Sequence, residues 1–419
     1  MANGTRSKSP RAASRRHRDN AADPQSRIGP ELSLAGGPRR RALDLLIRPT
    51  RAEVDLAALR RNVAAIKALA PRAEILAVVK ANAYGHGAAV IARALDSEPV
   101  KMLGVALIEE GIELRNAGVR APILVLGGSY EGGYDLLVAH GLTPTVFRPE
   151  HLRGLSHAAK RAGVTVDVHL KIDSGMGRIG VLPQELDSFL DLLASFPEIQ
   201  VDGLLSHFAS ADLENRDFTL GQLRCFKDVH ARMRAKGLRP RWRHLSNSAG
   251  VIDLPEVGDG LELNMVRPGI MLYGLYPAAW LRTAAALEPV LAWKTAVIHL
   301  KRVPAGTPIS YGSTWRASRD ALIATLPIGY ADGYHRAASN RGNMLVAGRR
   351  VPVAGRVCMD HVMLDVTEVP GPRAGDAVTV FGPDLGADEV AGWSDTIAYE
   401  VLTSVGMRVP RVYVEEFDA

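Results

Sequence analysis

The chain has 419 residues, of which 47% are hydrophobic, enough for a large core and, by length, two or three domains. Its formal charge of +6 comes from 51 basic and 45 acidic residues, yet the first fifty residues are markedly basic and the rest nearly neutral, which argues against a nucleic-acid groove in the folded body. The 2 cysteines, Cys225 and Cys358, stand far apart in no Cys-x-x-Cys pattern, which favours a reducing, cytoplasmic compartment and argues against a structural metal site.

Residues 1–48 are rich in Arg, Ser, Pro and Gly, lack periodicity and read as a disordered basic tail. The apolar run Ala42 to Ile47 is too short to span a membrane. Arg51 to Val54 reads as a short strand, and Asp55 as the cap of a helix with apolar positions Leu56, Leu59, Val63, Ile66 and Leu69. Strands follow at Ile75–Val79, Met102–Leu107, Ile123–Leu126, Thr143–Phe147, Val164–Ile172, Val201–Leu205 and Trp242–Leu245, with an eighth around Val266 and Ile270–Leu275. Helical segments separate them. About eight strand–helix units in this length predict a parallel sheet closed into a (β/α)8 barrel over residues 49–285, with an open doubly wound sheet as the alternative.

Near residue 285 helical spacing gives way to short alternating runs: Ala292–Arg302, Ala321–Pro327, Asn343–Val346, Arg350–Val353, Val362–Asp365 and Ala377–Phe381. Residues 286–419 therefore read as a mostly β domain with a short helix at Thr396–Val401.

The polar residues are phased with the barrel. Lys80, Lys171, His207, Ser248 and Arg267 fall at or just after the carboxyl ends of their strands, where barrel enzymes place their chemistry. A lysine ending a buried strand has its pKa lowered by desolvation, giving a neutral amine that forms Schiff bases with carbonyls such as pyridoxal phosphate (PLP). Tyr84 follows four residues on, one helical turn away, within reach of a cofactor phosphate. On spacing alone, a strand-end lysine reaching to water is the commoner arrangement. Arg178, in the glycine-rich run after Lys171, has a planar fork suited to a phenolic oxygen or a carboxylate. The Ser246-Asn247-Ser248 and Arg267-Pro268-Gly269-Ile270 runs follow the last two strands, where barrels bind phosphate.

The run Val78-Val79-Lys80-Ala81-Asn82-Ala83-Tyr84-Gly85-His86-Gly87 matches, at every position, the PLP-lysine motif of alanine racemases. The chain resembles that family over about residues 50–415, with Ser310-Tyr311-Gly312-Ser313-Thr314 and Val357-Cys358-Met359-Asp360 among its further motifs. The resemblance implies a PLP-dependent isomerase that interconverts L- and D-alanine for peptidoglycan. It implies Lys80 and Tyr311 as the two acid/base groups. One base returns a proton to the face it came from, so inversion needs a partner on the other face.

The resemblance further places Tyr84, Ser248, Gly269 and Ile270 on the cofactor phosphate, and Arg178 and the Met359 backbone on the substrate. Lys171, often carbamylated in the family, orients Arg178. His207 bonds the catalytic tyrosine, Tyr330 lies near the entrance and Asp360 supports the site. A charged His207 beside Tyr311 would lower the phenol's pKa. Arg267 faces the pyridine nitrogen; being permanently cationic, it keeps that nitrogen unprotonated and favours racemisation over decarboxylation, for which an acidic partner is usual. The family pairs the barrel of one subunit with the β domain of another, which implies a homodimer with shared sites; neither a metal, a nucleic acid nor a membrane is implied as a partner. One departure stands out: many members carry a tyrosine where this chain has Met407 before Arg408-Val409-Pro410-Arg411. A broad-specificity amino-acid racemase is the alternative on the same fold, and a non-catalytic PLP carrier the alternative from another class.

Overall fold

Eight short, largely buried segments set the architecture. In a computed structural model describing residues 47–254 and 263–415, they form parallel strands β2 (Glu74–Val78), β3 (Val100–Val105), β4 (Ile123–Val125), β5 (Thr143–Val146), β6 (Val166–Lys171), β7 (Ile199–Leu205), β8 (Trp242–His244) and β9 (Met265–Val266). Their order runs from β8 down to β2 and then to β9. Closure comes from β9, which pairs with β2, while Asn264 N–H donates to Arg243 O at 3.2 Å and Arg267 N–H to Ser246 O at 3.0 Å. This is the barrel that the alternation of strands and helices predicts. The basic tail read from sequence at 1–48 lies outside the described residues, apart from Ile47 and Arg48.

The helix after Asp55 spans Leu56–Leu69 and starts where expected: the Asp55 carboxylate accepts from Ala58 N–H at 2.8 Å. Leu59, Val63 and Ile66 lie on its buried face. The eighth strand is shorter than expected. Ile270–Tyr273 is a 3-10 turn, fully packed, with the Tyr273 hydroxyl donating to Val78 O at 3.0 Å. Four consecutive apolar residues carry no period, so the sequence alone does not separate such a turn from a strand.

Strand β1 (Arg51–Asp55) does not join the barrel. It lies between β10 (Leu291–Ala296), to which it is antiparallel, and β19 (Arg411–Val414), to which it is parallel. These belong to a six-stranded sheet that also holds β15 (Asn343–Val346), β16 (Arg349–Pro352) and β18 (Ala377–Phe381). A second sheet joins β11 (His299–Val303), β14 (Ala321–Leu326) and β17 (Val362–Asp365), and β12 (Pro308–Ile309) pairs with β13 (Trp315–Arg316). The run expected at Ala292–Arg302 is thus two strands in two sheets, turning at Val297–Ile298. The C-terminal helix expected at Thr396–Val401 is Ala398–Ser404, preceded by a further helix, Ala387–Ser394, whose first turn carries Asp388 and Glu389.

No described helix is long and apolar enough to cross a membrane. Both cysteines are free, and among the described residues no group of three His, Cys, Asp or Glu side chains could hold a metal ion.

Candidate active site

Lys80 follows β2 at the carboxyl end of the barrel, and the chain there turns the wrong way for L-residues. Ala81, Asn82, Ala83 and Tyr84 have φ of 52–53°, one turn of left-handed helix. The sequence reading of an ordinary helical turn from Lys80 to Tyr84 therefore has the hand reversed. Such backbone costs roughly 1–2 kcal/mol per residue, so neighbours must hold it. Glu110 does: its carboxylate accepts from Ala81 N–H at 2.6 Å, Ala106 N–H at 2.7 Å and Leu107 N–H at 3.1 Å. The Asn82 side chain accepts from Ala88 N–H at 2.7 Å and so joins the turn to the following helix, Ala88–Leu95.

The reversed turn aims Tyr84 at the loop after β9. A Cβ on Gly269 would lie 2.4 Å from the Tyr84 hydroxyl oxygen, so only glycine fits there. The Ser248 hydroxyl accepts from Gly269 N–H at 2.9 Å, and Ile270 begins the adjoining 3-10 turn. Asn247 caps the short helix Ser248–Asp253 by accepting from Gly250 N–H at 3.1 Å. Tyr84, Ser248, Gly269 and Ile270 thus converge at one end of the barrel mouth.

Arg267, two residues before Gly269, is 4% exposed. Its guanidinium donates to His244 Nδ1 at 2.9 Å, Ser206 O at 2.6 Å, Leu245 O at 3.2 Å and His207 Nδ1 at 3.1 Å. All four acceptors are neutral. Burial and then Arg178 lower its pKa to about 9, so it remains a cation at neutral pH.

Because arginine only donates, the ring nitrogen that receives it carries a lone pair. His207 is therefore neutral, with its proton on Nε2. This corrects the charged His207 expected from sequence. Burial first, then the Arg267, Lys171, Arg178 and Lys80 charges, holds its pKa well below the usual histidine value. A neutral Nε2–H still favours a phenolate by donating to it.

Lys80 and Lys171 feel the same field. Burial, Arg178 and Arg267 lower Lys80, against an upward pull from Glu110. Burial, then Arg267 and Arg178, lower Lys171 to about 7, with Asp173 opposing. Asp173 also shapes the loop bearing Arg178, accepting from Gly175 N–H and Gly177 N–H, each at 3.0 Å. Arg178 itself is exposed at the mouth.

The remaining expected residues gather elsewhere. Tyr311 starts a 3-10 turn and is 69% exposed; Met359 is 53% and Tyr330 42% exposed. Tyr330 N–H donates to Cys358 O, and Ala331 N–H to Met359 O, each at 3.0 Å. Asp360 accepts from Arg408 at 2.8 Å. No hydrogen bond joins Tyr311 or Met359 to a described residue of the barrel mouth. The fold brings Lys80, Tyr84, Lys171, Arg178, His207, Ser248, Arg267, Gly269 and Ile270 together, and leaves Tyr311, Tyr330 and Met359 exposed and Asp360 half-buried in the C-terminal β-rich part.

Sequence reasoning missed Glu110, His169 and His244. Glu110 and His244 follow or end barrel strands, so the phasing that singled out the others applies to them as well. His169 lies within β6 and carries no such signal.

Two family profiles, "Alanine racemase, N-terminal domain" and "Alanine racemase, C-terminal domain", match residues 54–277 and 290–413. The chain belongs to the alanine racemase family. It is 46% identical to an alanine racemase of Halothermothrix orenii over 373 residues, 88% of this chain and 97% of that protein. It is 45% identical to one of Sorangium cellulosum over 384 residues, 88% of this chain and 100% of that protein. Among solved structures, the alanine racemase of Streptomyces lavendulae superposes with a TM-score of 0.84 at 36% identity, covering 89% of this chain and 98% of that one. That of Bacillus anthracis with bound L-Ala-P gives 0.82 at 37%, covering 88% and 96%.

Proposed function

We propose that this chain is an alanine racemase that holds PLP at the barrel mouth and moves the substrate α-proton between Lys80 and Tyr311. The observation that carries the reading is the charge of the site. Lys80, Lys171, Arg178 and Arg267 share one field, in which Glu110 and Asp173 are the carboxylates that act on the two lysines. Such an excess of cations fits an anionic ligand. The Tyr84–Ser248–Gly269 cradle, closed to any side chain at position 269, suits a phosphate. PLP supplies a carbonyl that binds an amine and a ring that stabilises negative charge at the α-carbon.

The chain's own residues do the rest. Desolvation and two guanidinium charges favour the neutral Lys80 amine, the form able to take a proton. Arg267 presents a fixed cation that can donate but not accept a proton, so it would keep a ring nitrogen in front of it unprotonated. Arg178, exposed beside Lys80, suits a substrate carboxylate or the cofactor's phenolic oxygen. Lys171, with a pKa of about 7, is partly neutral at physiological pH and so open to carbamylation, which would place a negative charge beside Arg178.

Tyr311 and Met359 lie exposed and unconnected to this chain's own Lys80, which supports a site shared between two subunits of a homodimer. A second subunit would bring Tyr311 to the face opposite Lys80, with Met359 toward the substrate carboxylate and Tyr330 and Asp360 at the entrance. The free cysteines accord with cytoplasmic action, where D-alanine would serve peptidoglycan synthesis. The exposed Met407, 68% accessible, favours a second reading in which larger side chains are also accepted.

The test is α-proton exchange and optical inversion in deuterium oxide, with purified protein, PLP and either L-alanine, L-serine or L-lysine. Exchange with inversion of alanine is expected to dominate. Exchange with retention would remove the second base, and release of carbon dioxide would replace the racemase reading with a decarboxylase.

A further inference from the structure

The hydrogen bonds that hold Arg267 continue past His244. His244 Nε2 lies 2.8 Å from His169 Nδ1, and both rings are 0% exposed. Arginine has no acceptor, so His244 Nδ1 must carry the lone pair that receives the guanidinium. A neutral imidazole then has its proton on Nε2, which points at His169 Nδ1. His169 Nδ1 is in turn an acceptor, and its own proton sits on Nε2, a buried nitrogen with no hydrogen-bond partner among the described residues. The donor-only guanidinium thus dictates the tautomers of two rings in series.

The barrel is shaped to allow this. His169 is on β6 and His244 on β8, with β7 between them. The β7 residue beside His169 is Gly203. A Cβ there would lie 2.4 Å from the His169 ring, so the glycine opens the path by which the ring crosses β7. The two rings meet edge to face, centroids 4.9 Å apart at 71°.

We propose that His169 is a positioning residue for Arg267: by accepting from His244 Nε2–H it locks the tautomer and ring orientation that keep His244 Nδ1 aimed at the guanidinium. Without that acceptor, the buried Nε2–H of His244 is orphaned and the ring gains by turning or changing tautomer. Arg267 then loses one of its four anchors and the fixed direction of its charge. Only the effect on turnover rests on the racemase reading; the tautomers do not.

The experiment is nitrogen-15 magic-angle-spinning NMR of the histidine-labelled holoenzyme, with kinetics of three variants. In the unsubstituted protein His244 and His169 should both be neutral and protonated at Nε2. In His169→Leu, His244 should lose its single Nε2–H state, and kcat should fall about tenfold with KM nearly unchanged, as when a partner behind a contacting group is removed. His169→Asn places an oxygen where Nδ1 was and should restore both. Gly203→Ala, which keeps both histidines but displaces the ring, should resemble His169→Leu and provides the test if that variant fails to fold. A charged or Nδ1-protonated His244 in the unsubstituted protein would overturn the proposal. So would equal damage from Leu and Asn, the mark of a merely structural role. If the tautomers are found and neither enantiomer of alanine is turned over, the relay stands and the activity reading falls.

Discussion

Replacing Glu110 by alanine tests whether one carboxylate holds the reversed turn that aims both Lys80 and Tyr84. Three backbone N–H groups lose their acceptor. Hydrogen bonds to a charged group contribute about 1.5–3 kcal/mol each when buried. Two of these three are exposed and one is half-buried, so the expected total is about 2–4 kcal/mol. The four left-handed residues cost roughly 4–8 kcal/mol together; of the three bonds only that to Ala81 N–H acts on the turn, while those to Ala106 and Leu107 fix the carboxylate in place, so losing Glu110 removes one direct hold and the turn should loosen. Glu110 is also the group that raises Lys80's pKa against burial, Arg178 and Arg267. Glu110→Ala should therefore unfold at lower urea concentration and shift the pH profile of Lys80 acylation, followed by mass spectrometry on the cofactor-free protein, to lower pH. Glu110→Gln, which keeps one acceptor oxygen but no charge, should fall between in urea midpoint while shifting the Lys80 profile as far as Glu110→Ala does. An unchanged urea midpoint together with an unchanged Lys80 profile would refute the reasoning.

Three further outcomes follow from the site. Lys171 titrates near pH 7 in the folded protein and near 10.4 when unfolded. Between those values the unfolded chain binds more protons, so stability of the cofactor-free protein in carbonate-free buffer should rise with pH, by up to about 1.4 kcal/mol per unit. Lys171→Met should flatten that rise in urea titrations run from pH 7 to pH 10. Gly269→Ala would set a methyl against the Tyr84 hydroxyl; PLP affinity, read by absorbance titration, should drop about tenfold or more while the far-ultraviolet circular dichroism stays unchanged. Met407→Tyr should narrow the entrance and lower kcat/KM for L-serine relative to L-alanine, and no change in that ratio would detach Met407 from specificity.

The barrel was legible because buried parallel strands leave continuous apolar runs, and because polar residues recur at their carboxyl ends. That phase marks Lys80, Lys171, His207, Ser248 and Arg267 in the sequence. Other features lacked a local signature. Ala81 to Tyr84 contains no glycine, and its left-handed backbone depends on Glu110, which is remote in sequence. The position of β1 is set by partners at Leu291–Lys294 and Arg411–Val414, hundreds of residues away. The protonation of His207 hangs on the direction of one Arg267 hydrogen bond, and direction is not a property of composition. Met359 and Tyr311 are inconspicuous in sequence for a related reason: each is exposed, with no hydrogen bond to a described residue of the barrel mouth.

The central claim is that Lys80 of one subunit and Tyr311 of another form one site. Chains carrying Lys80→Ala and chains carrying Tyr311→Phe should each be inactive alone. Co-refolded in equal amounts, half the dimers are mixed and each mixed dimer has one intact site, so racemisation should return to roughly a quarter of the unsubstituted rate. If the mixture stays as inactive as its parents, although native mass spectrometry shows mixed dimers, the two proton carriers do not meet across subunits.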